Sequence, residues 1–341
     1  MAKKSLHESA LALLRRSPGP LSLPDLAGLL NGTVPERTLR RWLAAWVEEG
    51  IVARTGKKRG TVYRYRGPAA SSPGLPHLGF LVGLDAHLKV SVLKQLRDLW
   101  THTSTALEGN TLTLGDTHFV LEEGLTISGK PVKDHQEVIG HARAIDLLYR
   151  CLDQLLTTDL LFELHKAVQA DIVSDIYKPN GAWKREPNGT YAVSDSGEQI
   201  FIEYATPDDV PLLMTEVLNA INAVDPRTVN IDNAPVVYAK FHTGLVHIHP
   251  FWDGNGRMAR LVANIPLLKA GLPPLLIPNE ERRNYIQILA NYQINTGQLN
   301  RQTGVWPDES RLTEFNGFCA QCYTGTRELI AKAFVLQNDL Q

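Results

Sequence analysis

The sequence predicts a mostly α-helical protein: a large helical domain carrying one small β-hairpin, preceded by a small α+β domain. Three observations carry this. Apolar residues recur at helical spacing in most segments beyond residue 76. Charge is split, with 13 Lys/Arg against 5 Asp/Glu in residues 1–66 and 22 against 31 in the remainder, a pattern of two modules with different partners. Residues 67–76 (GPAASSPGLP) are rich in Pro, Gly, Ser and Ala and read as a linker. The expected domains are therefore 1–66 and 77–341.

At 341 residues, 43% of them apolar and 21% charged, the chain has the composition of a soluble globular protein of about two domains. No apolar run approaches the roughly 18 residues that a membrane helix needs. Met1-Ala2-Lys3-Lys4 leads into an amphipathic segment, not a signal-peptide core. The expectation is a cytoplasmic protein with no membrane partner. Three cysteines, Cys151, Cys319 and Cys322, do not make a disulfide framework. Cys319 and Cys322 spell CxxC without a second pair. They share one face of a helix-like stretch (312–333) and read as two small buried residues, with redox or metal use as the alternative.

In the first domain, residues 5–16 place Leu6, Ala10, Leu13 and Leu14 at helical spacing. A short helix over 23–30 follows, with Ser22 as N-cap and Pro24 in its first turn. A third helix, 35–49, gathers Leu39, Trp42, Leu43, Trp46 and Val47 on one face and leaves Arg37, Arg40 and Arg41 elsewhere. Residues 51–54 start a strand, 55–60 make a turn with Lys57, Lys58 and Arg59, and 61–66 return as β. This order resembles a winged helix-turn-helix domain. The resemblance implies that the third helix enters the major groove of duplex DNA and that the basic wing meets phosphates. The other reading of these charges is the solvated face of a protein-docking module.

The second domain reads as helices over 84–104, 134–151, 158–171, 211–223 and 234–247, with an irregular hairpin between 178 and 204. The most informative stretch follows: His249-Pro250-Phe251-Trp252-Asp253-Gly254-Asn255-Gly256-Arg257-Met258-Ala259-Arg260. Apolar helical runs flank it, so it is a loop whose second half opens a helix. Pro266 is expected to kink that helix. His249 has the ordinary pKa of a general base near neutrality. Asp253 is a hard oxygen ligand suited to a magnesium ion carrying phosphates. Gly254-Asn255-Gly256 lets backbone N–H groups converge on an anion at a helix N-terminus. Arg257 and Arg260 lie one turn apart and offer guanidinium forks to phosphate oxygens. A base, a metal ligand, an anion nest and two arginines within twelve residues describe a nucleotide phosphate site. A zinc site built on His242, His247 and His249 is disfavoured, because no third-ligand pattern supports it.

The block resembles the HPFx[DE]GNGRxxR motif of the Fic (filamentation induced by cAMP) family at all nine specified positions. The order of helices, hairpin and motif extends the resemblance over about 84–334. It implies an all-helical Fic core with a β-hairpin flap. It also implies transfer of AMP from ATP, with Mg²⁺, to a Tyr, Thr or Ser hydroxyl of a target protein or of the chain itself. By the same resemblance His249 takes the hydroxyl proton, Asp253 holds Mg²⁺, Gly254, Asn255 and Gly256 bind the inner phosphates, and Arg257 and Arg260 bind the outer ones. Phe251 anchors the loop in the core. The Doc branch, which phosphorylates its targets, has Lys at the position of Gly256, so Gly256 favours nucleotidyl transfer.

Upstream, Ser104-Thr105-Ala106-Leu107-Glu108-Gly109-Asn110 resembles the family's inhibitory motif [ST]xxxE[GN]. The implied brake is Glu108, with Ser104 and Gly109 in the motif, reaching Arg260 at the γ-phosphate position. A carboxylate and a phosphate compete there for the same donors. Some relatives use this glutamate to remove AMP as well, and family members often form homodimers. Residues 178–193 occupy the place of the target-binding flap, where a target strand adds by main-chain bonds, with Trp183, Arg185 and Tyr191 as contacts or as simple hairpin packing. Tyr285, at the start of a later helix, is expected to line the adenine pocket. The rival functional reading is a DNA-binding transcriptional regulator whose Fic domain senses nucleotide.

Overall fold

The computed structural model describes residues 10–11, 13–14, 17, 20–48, 52–56, 61–65, 78–170, 178–193 and 197–339. The chain divides into two compact units, Met1–Pro76 and His77–Gln341. The basic turn with Lys57, Lys58 and Arg59 and the linker 67–76 lie outside the described residues. So does most of the expected first helix, which is described at 10–11 and 13–14 and is helical there.

In the first unit a capping box starts helix α1 (Leu23–Leu29). Ser22 Oγ accepts from the Asp25 N–H while Asp25 accepts from the Ser22 N–H, and Pro24 sits in the first turn. Helix α2 (Glu36–Glu48) buries Leu39, Leu43 and Trp46 against Ala10, Leu14, Leu26, Leu30, Val34 and Val52. Its Arg37, Arg40 and Arg41 are exposed, and Arg40 pairs with Glu36 at 3.5 Å. Strands β2 (Val52–Thr55) and β3 (Val62–Tyr65) pair antiparallel. A two-residue strand β1 (Leu21–Ser22) adds to the far edge of β3, giving the order β1-β3-β2. Two residues carry no alternation, so β1 has no trace in the sequence pattern.

Among its described residues the second unit is helical apart from one hairpin, as the sequence predicts. Its elements are α3 (Ala86–Ala106), α4 (Leu114–Glu123), α5 (Val132–Arg150), α6 (Thr158–Val168), the hairpin β4 (Gly189–Val193) and β5 (Gln199–Glu203), α7 (Val210–Ala223), α8 (Ala234–Ile248), α9 (Asn255–Val262), α10 (Ile265–Lys269), α11 (Arg282–Thr296) and α12 (Thr313–Asp339). Helix α8 is the centre. It is apolar nearly all round, so it is buried, packed against α7, α9, α10 and α12. Among the described residues no helix is long and apolar enough to cross a membrane.

Pro266 does not kink a continuous helix. The chain leaves α9 at Ala263, and Pro266 stands in the first turn of the separate α10, where its missing N–H costs nothing. Buried Asn264 secures the break. It donates to the Arg260 and Leu275 carbonyls and accepts from the Leu275 N–H at 2.7–3.0 Å. Cys319 and Cys322 are buried on α12, and burial pushes both thiols up in pKa, as expected of small core residues.

Candidate active site

Helix α8 cannot run through Pro250, and the turn-off is made by His249 in left-handed conformation, φ 53° and ψ 59°. This costs on the order of 1 kcal/mol for a non-glycine residue and aims the imidazole out of the helix line. Its Nδ1 lies 3.3 Å from the Val246 carbonyl, and the ring stacks on Tyr204 at 3.9 Å between centroids. A carbonyl only accepts, so Nδ1 carries the proton and Nε2 is the bare, basic nitrogen. Burial first, then the charge of Lys184, pushes the His249 pKa down to about 4. The imidazole is therefore neutral near pH 7.

Phe251 turns inward. It is fully buried, stacked on His165 at 3.8 Å and packed near Trp183 and Phe162. Asn255 closes the loop over it. Its Oδ1 accepts from the Phe251 N–H and its Nδ2 donates to the Phe251 carbonyl, both at 2.9 Å. The side chain of Asn255 is thus committed to the loop, and its backbone N–H lies in the first turn of α9. Gly254, the N-cap of α9, has φ 78°, and a Cβ there would press on Gln169.

The two arginines are buried and differ in their partners. Arg257 is 3.5 Å from the Asp253 carboxylate and 3.8 Å from Glu137, while its Nε and Nη1 make no hydrogen bond. Buried donors of this kind suit an incoming anion. Arg260 uses four of its five N–H donors: Nε donates to Ser104 Oγ at 3.1 Å, Nη2 to the Ser104 carbonyl at 2.7 Å and to Glu108 Oε1 at 2.6 Å, and Nη1 to Tyr285 Oη at 3.1 Å. Glu108 follows the end of α3, and Gly109, at φ 96°, turns the chain away behind it. Burial raises the Glu108 pKa, but Arg260 and then Arg257 outweigh it and hold the carboxyl below its ordinary range. Glu108 comes so close to the start of α9 that a Cβ on Gly256 would collide with it.

Asp253 presents a carboxylate with 64% of its side chain exposed. Burial raises its pKa, while Arg257, the Gly254 N–H and Gln169 bring it below the usual value. One open carboxylate beside an anion nest fits a Mg²⁺ that arrives on phosphates, which needs only one or two protein ligands. It does not make a cage: among the described residues no group of three or more His, Cys, Asp or Glu is placed to hold a metal.

Tyr285 does not line an open pocket. It is buried behind Arg260, with its hydroxyl between that guanidinium and His242 Nε2 at 3.0 Å, and its ring lies against Phe315 and Phe318. Trp183 packs on Phe162 at 4.6 Å, whereas Arg185 and Tyr191 are exposed on the hairpin side. Tyr191 and Phe201 are cross-strand neighbours and both more than half exposed.

Besides Tyr204, three residues that carry no signal in the sequence adjoin the site. His165 accepts from the Gly181 N–H on Nδ1 and so donates from Nε2 to the Asp253 carbonyl at 3.0 Å. Lys184 is buried beside His249; its backbone N–H donates to the Pro250 carbonyl, its ammonium reaches Asn188 at 2.6 Å, and burial pushes its pKa down to about 8. Gln169 touches Asp253 and Gly254. Each is an ordinary residue in an ordinary local pattern, joined to the loop only by the fold.

With this geometry in hand, residues 155–267 match the model of the Fic/DOC family. The match lies within the second unit. The curated proteins to which this chain is similar include Protein adenylyltransferase fic-1 of Caenorhabditis elegans, 31% identical over 214 residues, 61% of this chain and 38% of that protein. Protein adenylyltransferase Fic of Drosophila grimshawi is 34% identical over 192 residues, 54% of this chain and 36% of that protein. This chain thus spans less than two fifths of each of these two relatives. Among solved structures, a Fic domain containing signaling protein from Bacteroides thetaiotaomicron superposes with a TM-score of 0.63 at 27% identity, covering 76% of this chain and 96% of that one. A fragment of Fic-1 from C. elegans shares the fold, with a TM-score of 0.57 at 20% identity over 99% of this chain and 85% of that one.

Proposed function

We propose that the chain is a protein adenylyltransferase restrained by its own Glu108. The observation that carries this reading is one loop that sets a neutral imidazole with a bare Nε2, an open helix N-terminus and two buried guanidiniums side by side. His249 Nε2 takes the proton of a Ser, Thr or Tyr hydroxyl of the target. The hydroxyl oxygen attacks the α-phosphorus of ATP, a P–O ester bond forms, and pyrophosphate leaves with the electrons of the broken P–O bond. The N–H groups of Gly254–Gly256 and the start of α9 hold the inner phosphates, and Arg257 and Arg260 hold the outer ones. A Mg²⁺ at Asp253 supplies charge neutralisation on the phosphates. Catalysis is then mainly positioning and electrostatic stabilisation. The relatives named protein adenylyltransferases support the transfer chemistry.

In the described state Glu108 occupies donors of Arg260 that an outer phosphate needs, so bound ATP lies in a pose unfit for in-line attack. The decisive experiment is mass spectrometry after incubation with Mg²⁺ and ATP, with and without cell lysate. Wild type, Glu108→Gly and Glu108→Gly/His249→Ala are compared. AMP adducts that arise in the single variant and vanish in the double variant support base and brake together. ATP binding with no adduct in any variant removes the transferase reading.

A second role rests on the first unit, whose net positive charge and exposed Arg37, Arg40 and Arg41 suit a DNA phosphate backbone. We propose duplex DNA as its partner. Gel-shift of the full chain at low and moderate salt tests it, since phosphate-driven binding weakens steeply with salt; no shift at low salt leaves a protein-docking module.

A further inference from the structure

Behind Arg260 runs a buried polar chain that AMP transfer does not itself call for. Arg260 Nη1 donates to Tyr285 Oη, and Tyr285 Oη lies 3.0 Å from His242 Nε2. All three side chains are buried. The direction of the bonds follows from chemistry. A guanidinium only donates, so Tyr285 accepts from Arg260 and turns its own proton toward His242. Nε2 of His242 then accepts and Nδ1 carries the proton, where it finds no protein partner. Burial first, then the charge of Arg260, keeps this imidazole neutral and able to accept.

The surroundings are aromatic: Tyr238, Phe315 and Phe318. An apolar pair would fill the same volume without burying a donor that has no partner, so packing alone does not account for the polar chain. The other hydrogen bonds of the Arg260 guanidinium go to Ser104 and Glu108, both on the inhibitory segment. When that segment yields, Tyr285 is the anchor left on the Fic side.

We propose that Tyr285 and His242 are positioning residues for Arg260, locking its guanidinium in the orientation that meets the terminal phosphate of ATP. This rests on the reading of Arg260 as a nucleotide ligand. The test uses the full chain with Glu108→Gly, which frees Arg260. Tyr285→Phe keeps the ring and removes the hydroxyl; His242→Leu removes the acceptor; His242→Gln offers another one. Binding of Mg-ATP and of AMP is measured by calorimetry, with KM and kcat for AMP transfer and the thermal midpoint.

Tyr285→Phe and His242→Leu are expected to weaken ATP binding about tenfold, the scale of one hydrogen bond to a charged group. AMP, which lacks the outer phosphates, binds within about twofold of the parent on the same reasoning. KM for ATP rises, and His242→Gln restores most of the loss. Equal loss for ATP and AMP, or undiminished ATP binding in a folded Tyr285→Phe chain, overturns the inference. A parent that binds ATP but transfers no AMP removes the transferase reading alone, because the ATP-to-AMP ratio still decides the positioning role.

Discussion

Glu108 Oε1 lies 2.6 Å from Arg260 Nη2, joining residues 152 positions apart in the chain. The pair is charge-assisted, and the arginine end is buried while 40% of the glutamate side chain is open to solvent. The fixed partner is therefore Arg260, and Glu108 is the part that can leave. Its removal leaves the buried guanidinium without its counter-ion and frees donors for a phosphate. Glu108→Gly is expected to raise AMP transfer about tenfold or more, since a hydrogen bond to a charged group is worth about 1.5–3 kcal/mol. Initial rates on one target or on the chain itself check this. Equal rates for wild type and variant would show that the contact is not a brake.

The loop itself depends on Asn255. Removing its side chain strands the buried Phe251 N–H, while the Phe251 carbonyl keeps Asn188 at 3.3 Å. Asn255→Ala is expected to lower stability by about 2 kcal/mol, within the range for one orphaned buried donor. Urea unfolding measures it. Phe251→Ala should cost more, about 3–5 kcal/mol, because it also empties an aromatic core site. If Asn255→Ala were neutral for stability and harmful only to ATP binding, its side chain would be a phosphate ligand after all.

The motif loop was legible because its residues are local. His249, Asp253, the two glycines and the two arginines sit within twelve positions, and one helix end plus Pro250 dictates their arrangement. Ser22 declared its capping box in the same way. Glu108 was legible only through a resemblance, since nothing in its own neighbourhood says that it faces Arg260. Tyr204, Lys184 and His165 left no trace, because stacking and second-layer hydrogen bonds join distant segments without any local pattern. The sequence places Tyr285 at the start of a helix without showing which way its ring turns; burial beside Phe315 and Phe318 brings its hydroxyl to Arg260. Helix α4 is hard to see in the sequence although Thr113 and Asp116 form a capping box there, since its apolar periodicity is weak.

The acid side of the pH profile follows from His249. A general base works only unprotonated, and burial together with Lys184 has pushed this imidazole down to about 4. Lowering the pH therefore protonates it late. The Glu108→Gly variant, which also lacks a carboxylate that raises this pKa, should keep a level transfer rate down to about pH 5 and lose it below, where an ordinary imidazole would already fall near pH 6.5. Single-turnover transfer against pH checks this, with the base-free Glu108→Gly/His249→Ala variant as blank. A midpoint at the ordinary imidazole value would mean that the site is wetter than its geometry.

Lys184 offers a separate handle on the same base. Its ammonium is buried, bonds Asn188, and stands over the Tyr204 ring that stacks on His249. Lys184→Met keeps much of the volume and removes the charge, while the backbone bond from residue 184 to the Pro250 carbonyl is retained. Without that repulsion a protonated His249 is less unfavourable, so its pKa rises. Burial, the larger cause, stays, so the value remains below that of a free imidazole. NMR titration of the His249 ring in wild type and Lys184→Met reads the shift directly, and the acid limb of transfer should move up in parallel. An unmoved titration in a folded variant would show that Lys184 serves the hairpin and the loop as a mechanical tie and has no electrical effect on the base.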